Sequence, residues 1–555
     1  MEFNLAQVFS AVAAAVPERD CIVFGDRRFS YQQIEDRSRR LARALHERGL
    51  GVRRERSELA GHESGQSHLA LYLANGNEYL EGMLGAYHAR VAPFNVNYRY
   101  VADELVYLLT NASTEAIMYH ARYAPTLAEA LQQAGDRLPA MPLIHVEDDS
   151  GNEPLPGAVR YEELLAATSA EPLGLALSPD DLYLLYTGGT TGMPKGVLWR
   201  QHDIFVGAMG GREFGTGAVP TTVEEIVDRA CAAVPAGSMT VAPLMHGAAQ
   251  WAAFITLLGG RPFVMSATTD RFDPVRTWEL AAKERVISLS IVGDAFARPL
   301  ADALAAGGPQ LADDLSGLFV LASGGASLTV PVKQRMVDLL PQLSILDAGG
   351  SSETGAQMGQ TTSRDVASTG RFTPNPGAVV VSEDMTRILK PGDDEIGWLA
   401  QQGHVPLGYL GDPEKSARTF PVIEGIRHSV PGDRARWDAD GGIELLGRDS
   451  VTINSGGEKI FAEEVEAAIA HHPAVYDVVV VGRPSERWGN EVVAVVQLAP
   501  GADAGADDIV TEAANYIARY KLPKDVVFCA QVQRSPSGKA DYRWAKEQAL
   551  AAQRV

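Results

Sequence analysis

Between Tyr186 and Val197 the chain reads Tyr-Thr-Gly-Gly-Thr-Thr-Gly-Met-Pro-Lys-Gly-Val. Four glycines, three threonines, a proline and a lysine fall inside this one stretch. Glycine permits tight turns and close backbone approach, threonine offers hydroxyls, and lysine adds a cation. Together they suit a backbone wrapped around a polyphosphate. The preceding residues, Asp181 to Tyr186, are apolar and aromatic and predict a strand. A glycine-rich loop hung from a strand end is a common anion site in an α/β sheet. Pro194 precedes Lys195, and Gly196, Val197, Leu198 and Trp199 follow. That order predicts a hairpin return, not the helix that opens after a Gly-Lys-Ser/Thr loop. Composition alone would equally describe a plain turn between two strands.

Strand and helix patterns alternate along the first part of the chain. Arg37 to Leu50 has apolar positions at helical spacing, and Ser67 to Ala74 reads as a buried strand. A helix is expected around Glu78 to Ala89, a strand at Ala116 to Met118, and a helix at Tyr123 to Ala134. Such alternation predicts parallel sheet covered by helices. Gly51 to Gly65 is polar and irregular and reads as a surface insertion. In the middle third, strand-like runs at 238–243, 286–292, 318–321 and 343–346 each end in a small or polar cluster. Residues 207–237 are rich in glycine and alanine and read as an excursion, a lid or a helical insert.

The pattern changes near Gly447. An amphipathic helix at Ala462 to Ile469 is followed by strands at Val475 to Val481 and Glu491 to Leu498. A Pro/Gly/Ala/Asp linker at 500–506 leads to a helix from about Asp507 to Tyr520 and a strand at Asp525 to Cys529. The fold class expected is therefore α/β. A large N-terminal domain of mixed, mostly parallel sheets with helices spans 1–447, and a small mobile α+β C-terminal domain spans 448–555.

Several classes are disfavoured. The formal net charge of −21 opposes nucleic acid or an anionic membrane as the main partner. Cations that would meet a polyanion are concentrated locally, at Arg519, Lys521, Lys524, Arg534, Lys539 and Arg543. Cys21, Cys231 and Cys529 are far apart, which predicts neither disulfides nor a zinc site and a reducing, cytoplasmic setting. The first twenty residues lack a basic n-region and predict a helix, not a signal peptide. No run of 18 apolar residues suggests a membrane span. Ser351-Ser352 lacks the nucleophile-elbow pattern of a serine hydrolase.

The complete string at 186–197 resembles the phosphate-binding signature of the acyl-adenylating enzymes, a group that includes acyl-CoA synthetases, luciferases and peptide-synthetase adenylation domains. Further motifs appear in the family's order along nearly the whole chain. They are Pro243-Leu244-Met245-His246-Gly247, Ser323-Gly324-Gly325-Ala326, Gly350-Ser351-Ser352-Glu353-Thr354-Gly355, Pro431-Gly432-Asp433, Gly447-Arg448-Asp449-Ser450, Gly456-Gly457-Glu458-Lys459 and Ser535-Pro536-Ser537-Gly538-Lys539. Gly408 to Pro413 matches another family segment, read as structural. The stretches Arg56 to Tyr72 and Asn75 to Tyr100 look most like actinobacterial fatty-acyl and steroid-side-chain CoA ligases.

The resemblance implies roles residue by residue. Thr187, Gly188, Gly189, Thr190, Thr191, Gly192 and Lys195 would cradle the ATP phosphates, with Thr190 also near Mg²⁺. Glu353 would hold Mg²⁺, since a hard cation prefers carboxylate oxygen. Gly325, Ala326, Asp347 and Ser352 would border the nucleotide. Asp433 would accept from the ribose hydroxyls, and Arg448 would reach ATP. His246 would flank the acyl pocket, and Gly457 and Lys459 would belong to the loop lining the CoA tunnel. Lys539 would contact the substrate carboxylate and α-phosphate.

Three positions depart from the family pattern: Gly349 replaces an aromatic residue expected against adenine, Pro431 a threonine, and Ser450 the usual Asp or Lys of the hinge. The expected partners are a carboxylic acid, ATP and CoA, with a homodimer as the assembly the resemblance allows. The reaction implied joins a medium or long fatty acid, or a bulky steroid-side-chain acid, to CoA. An adenylating enzyme with a carrier protein or oxygen as acceptor shares the ATP motifs, and a catalytically silent ATP-binding protein is compatible with the three departures.

Overall fold

The computed structural model describes residues 1–187, 193–213, 216–267, 271–368, 371–455, 458–485, 487–535 and 538–552. Three sheets organise them. The strands of the first third are apolar on both faces, as His68–Tyr72 and Ala116–His120 illustrate with every residue buried. That pattern requires cover on both sides, so these strands pair in parallel between helices. The helix Asn77–His88 is buried along nearly its whole length, because it lies inside the molecule and presents no face to water.

The hairpin expected around the glycine-rich loop is present. Leu182–Thr187 pairs antiparallel with Lys195–Arg200, with Thr187 opposite Lys195. The opening twenty residues carry the expected helix, Leu5–Ala15, whose Asn4 side chain accepts from the backbone N–H of Ala6 at 3.0 Å. No described helix is long and apolar enough to cross a membrane.

The largest sheet begins as parallel strands, Phe263–Met265, Ser238–Thr240, Ser288–Ile291, Val320–Gly324 and Ser344–Ser351. From Gly355–Thr362 onward it continues antiparallel through Arg371–Pro374, Ile443–Arg448, Asp433–Trp437 and Gly397–Gln402. The third sheet, from Ile453–Ser455 to Asp525–Phe528, packs its own apolar cluster around Val465, Ile469, Val480 and Ala494.

Two local expectations are corrected. The helix expected over 507–520 is only Ala506–Ala513, because the Ala513 carbonyl takes the N–H groups of both Tyr516 and Ile517 and the chain unwinds into a 3₁₀ turn at Arg519–Lys521. The excursion 207–237 is two things. Its second half holds the helix Val223–Ala232, capped by Thr222 and packed on Leu5–Ala15. From its first half, Gly210, Arg212, Glu213, Thr216 and Gly217 line a cavity.

Candidate active site

The strand ends converge on one cleft of about 1370 Å³. Thr187, Val292, Gly325 and Ser352 line it from the large unit, and Ser535, Lys539 and Tyr542 from the C-terminal unit. This is where a parallel sheet places ligands, at the carboxyl edges of its strands.

Lys539 reaches the cleft on a turn built by the chain itself. Gly538 N–H donates to the Ser535 carbonyl at 2.8 Å, and Lys539 N–H to Ser535 Oγ at 3.2 Å. Arg534 braces the turn through Asp477 at 2.7 Å and the Gly538 carbonyl at 3.2 Å. Gly538 has φ +75°, and a Cβ there would stand 2.9 Å from the Val292 carbonyl of the large unit. Glycine is thus required both by conformation and by close approach. Lys539 is open to the water of the cleft but walled by protein. That crowding, and the Arg448 guanidinium, hold its ammonium below the ordinary lysine value, while Glu353 and Asp433 pull the other way. Four charged groups far apart in sequence therefore share one electrostatic neighbourhood.

Each of these groups has a built support. Arg448 Nε lies 3.4 Å from Asp433 Oδ1, across the pair of strands Asp433–Trp437 and Ile443–Arg448. Glu353 lies within a turn closed by Thr354 Oγ1, which accepts from Ser351 N–H at 2.9 Å. Tyr409 donates its hydroxyl to Glu353 Oε1 at 2.9 Å, and Ser429 donates to the Glu353 carbonyl at 2.6 Å. Among the described residues no other side chain bonds the Glu353 carboxylate. Lys195 Nζ stands 5.8 Å from the Tyr409 ring, which links the loop strand to the same corner. The segment 408–413, expected to be structural, thus supplies a direct partner to Glu353.

His246 stands immediately before the helix Gly247–Leu258 and lines the cleft. Its Nε2 is buried without a described partner. Burial, with Lys539 and Arg99 nearby, lowers its pKa to about 4, so the ring is neutral near pH 7.

Other expected residues stand elsewhere. Asp347 does not face the cleft: Leu346 and Ala348 do, and strand alternation turns Asp347 to the opposite face. There it pairs with Lys333 at 2.7 Å, and burial raises its carboxyl pKa against that pull. Ala326 packs on the core beyond the strand end, leaving Gly325 to line the cleft. Ser352 lines it, with its carbonyl held by Trp199 Nε1 at 2.9 Å. Lys459 is outside, paired with Glu383 at 3.2 Å. Gly188, Gly189, Thr190, Thr191, Gly192 and Gly457 lie outside the described residues.

The departure at Gly349 has a structural counterpart that the sequence does not signal. Gly349 sits across from Met358 in the neighbouring strand, and a Cβ at 349 would be 2.6 Å from Met358 Cε. The methionine occupies the space next to the missing side chain, and it too lines the cleft.

Comparison with known proteins agrees with this architecture. Residues 9–410 match the AMP-binding enzyme family, and 464–539 match the AMP-binding enzyme C-terminal domain. The medium-chain acyl-CoA ligase Mig of Mycobacterium avium is 54% identical over 549 residues, covering 99% of this chain and 98% of that protein. A 3-oxocholest-4-en-26-oate–CoA ligase of Rhodococcus rhodochrous is 38% identical over 561 residues, covering 99% and 96%. Among solved structures, the anthranilate CoA ligase AuaEII in complex with anthranoyl-AMP shares the fold, with a TM-score of 0.81 at 19% identity over 100% of this chain and 98% of that one. With both segments matched in order and relatives aligned end to end, the chain belongs to the AMP-binding enzyme family.

Proposed function

We propose that this protein is an AMP-forming acyl-CoA ligase that activates a medium or long fatty acid, or a bulky steroid-side-chain acid. One observation carries the reading: Lys539, from the C-terminal unit, lines the cleft and stands in the electrostatic neighbourhood of Arg448, Asp433 and Glu353. The named relatives act on medium-chain acids and on 3-oxocholest-4-en-26-oate, which supports this acid class.

In the first half-reaction the substrate carboxylate attacks the α-phosphate of ATP, forming an acyl-adenylate as pyrophosphate leaves. Attacker and leaving group are both anionic, so charge neutralisation and positioning do the catalysis. Lys539 supplies an ammonium beside the reacting oxygens. Asp433 accepts from the ribose diol, with Arg448 holding that carboxylate. Glu353 fits Mg²⁺, because one carboxylate oxygen is taken by Tyr409 and the other is left for a hard cation. Mg²⁺, when bound, would offset phosphate charge. Neutral His246 offers an uncharged wall at the head of the acyl pocket.

In the second half-reaction the CoA thiol attacks the acyl carbonyl and AMP departs. One cleft serving two acceptors requires the C-terminal unit to move. With Lys539 inside and Lys459 outside, the observed arrangement suits the first step. The residues 448–555 form the moving unit in this reading, working in the cytoplasm.

The test is AMP release with a panel of acids, with and without free CoA, and the mass of the adduct trapped when CoA is omitted. Turnover restricted to acetate, or independent of CoA, would refute it.

A further inference from the structure

The cleft continues past His246 as an apolar cavity along the helix Gly247–Leu258, where Trp251, Ala252 and Ile255 line one face. From His246 to Ile255 is nine helical steps, ~14 Å at 1.5 Å each. That depth matches an extended chain of roughly ten carbon–carbon bonds. Gly210 and Gly217 border the far end. A Cβ at Gly210 would lie 3.3 Å from Ile255 Cα, and one at Gly217 would lie 3.3 Å from Pro376 Cγ. Between these two glycines stands Arg212, which also lines the cavity.

A cation at the end of an apolar cavity needs a partner. Arg212 has one long contact, Nη1 to the Gly217 carbonyl at 3.4 Å. Among the described residues no carboxylate forms an ion pair with it. Glu213, its neighbour, instead accepts from Thr216 Oγ1 at 2.6 Å. Desolvation pushes the guanidinium below its ordinary value with no charged group opposing it. The remaining donors of this fork are available to whatever fills the cavity.

We propose that Arg212 determines specificity by donating to an oxygen acceptor at the distal end of the acyl chain, so that the preferred acid ends in an oxygenated group and not in a methyl. The proposal rests on the ligase reading above and names the acid more narrowly.

The experiment compares dodecanoate with 11-oxododecanoate and dodecanedioate, by kcat/KM for CoA-dependent AMP release and by calorimetric binding without ATP. A hydrogen bond from a charged donor favours at least one oxygenated acid by about tenfold or more. Arg212→Met should collapse that preference mainly through KM, and Arg212→Lys should keep part of it. The melting temperature of each variant checks that it is folded. Equal use of all three acids by the wild-type protein, or an equal loss for all three in Arg212→Met, would overturn the proposal. Preferential binding of an oxygenated acid without thioester formation would overturn the ligase reading and leave this one standing.

Discussion

Lys539 is a residue whose value depends on company. Alone in sequence it is an exposed lysine; in the fold it shares a corner with Glu353, Asp433 and Arg448. If it neutralises charge only while the adenylate forms, Lys539→Ala should abolish adenylate formation from acid and ATP. Thioester formation from synthetic acyl-AMP should survive in the same variant. Equal loss of both steps, measured separately, would remove Lys539 from the first half-reaction. Its ammonium is held below the usual lysine range, so adenylation in the wild-type protein should fall off at a lower pH than an ordinary lysine would give. Gly349 makes a second case. Adding a tyrosine there drives side-chain atoms into Met358, whose Cε lies 2.6 Å from the position of a Cβ. Gly349→Tyr should cost about 1–3 kcal/mol in a urea melt, and pairing it with Met358→Ala should recover part of that. A single variant as stable as wild type would show that the strands yield without strain.

At the scale of elements, the turn between the two units is the informative piece. Asp449–Val451 is a single 3₁₀ turn, tied by Asp449 N–H to the Gly432 carbonyl at 3.1 Å and by Arg434 Nε to Asp449 Oδ1 at 2.9 Å. Proline suits the φ of such a turn, and it freezes that angle. Ser450→Pro should therefore keep adenylation and slow thioester formation, read by pyrophosphate release against acyl-CoA formation in one preparation. A uniform effect on both would place the pivot elsewhere. Elements also differ in how far sequence discloses them. The parallel strands are legible because both faces are apolar. Gly355–Thr362, Gly-Ala-Gln-Met-Gly-Gln-Thr-Thr, carries too little apolar alternation to be read as a strand, and its pairing with Ser344–Ser351 makes it one. Asp347 escapes sequence reasoning for a related reason: a strand's residues alternate, but which face meets the cleft depends on where Lys333 and the neighbouring strands lie.

At the scale of the molecule, a chain of net charge −21 sets two cations, Lys539 and Arg448, against two carboxylates, Glu353 and Asp433, beside its cleft. Burial also sets its response to acid. His120 and His246 both have folded pKa values of about 4, below the unfolded value, because desolvation disfavours the imidazolium. Proton uptake then favours the unfolded chain, so their penalty is absent above about pH 6.5, grows as pH falls, and is complete below about pH 4. Each can withdraw up to roughly 3 kcal/mol across that window. His120 Nδ1 accepts from Ala74 N–H at 3.0 Å, a bond that a glutamine oxygen can replace. In urea melts at pH 7 and pH 5, His120→Gln should lose less stability than wild type; identical losses would contradict the assignment.

By itself the sequence determined the family and the hairpin that carries the glycine-rich loop, because these are written in contiguous strings whose chemistry is local. Only the tertiary structure decided that Tyr409 supports Glu353, that Met358 fills the space beside Gly349, that Asp347 faces away, and that Arg212 lines the cleft. Those outcomes depend on which strand faces and loops meet in space, and residues far apart along the chain share no local pattern that could announce it.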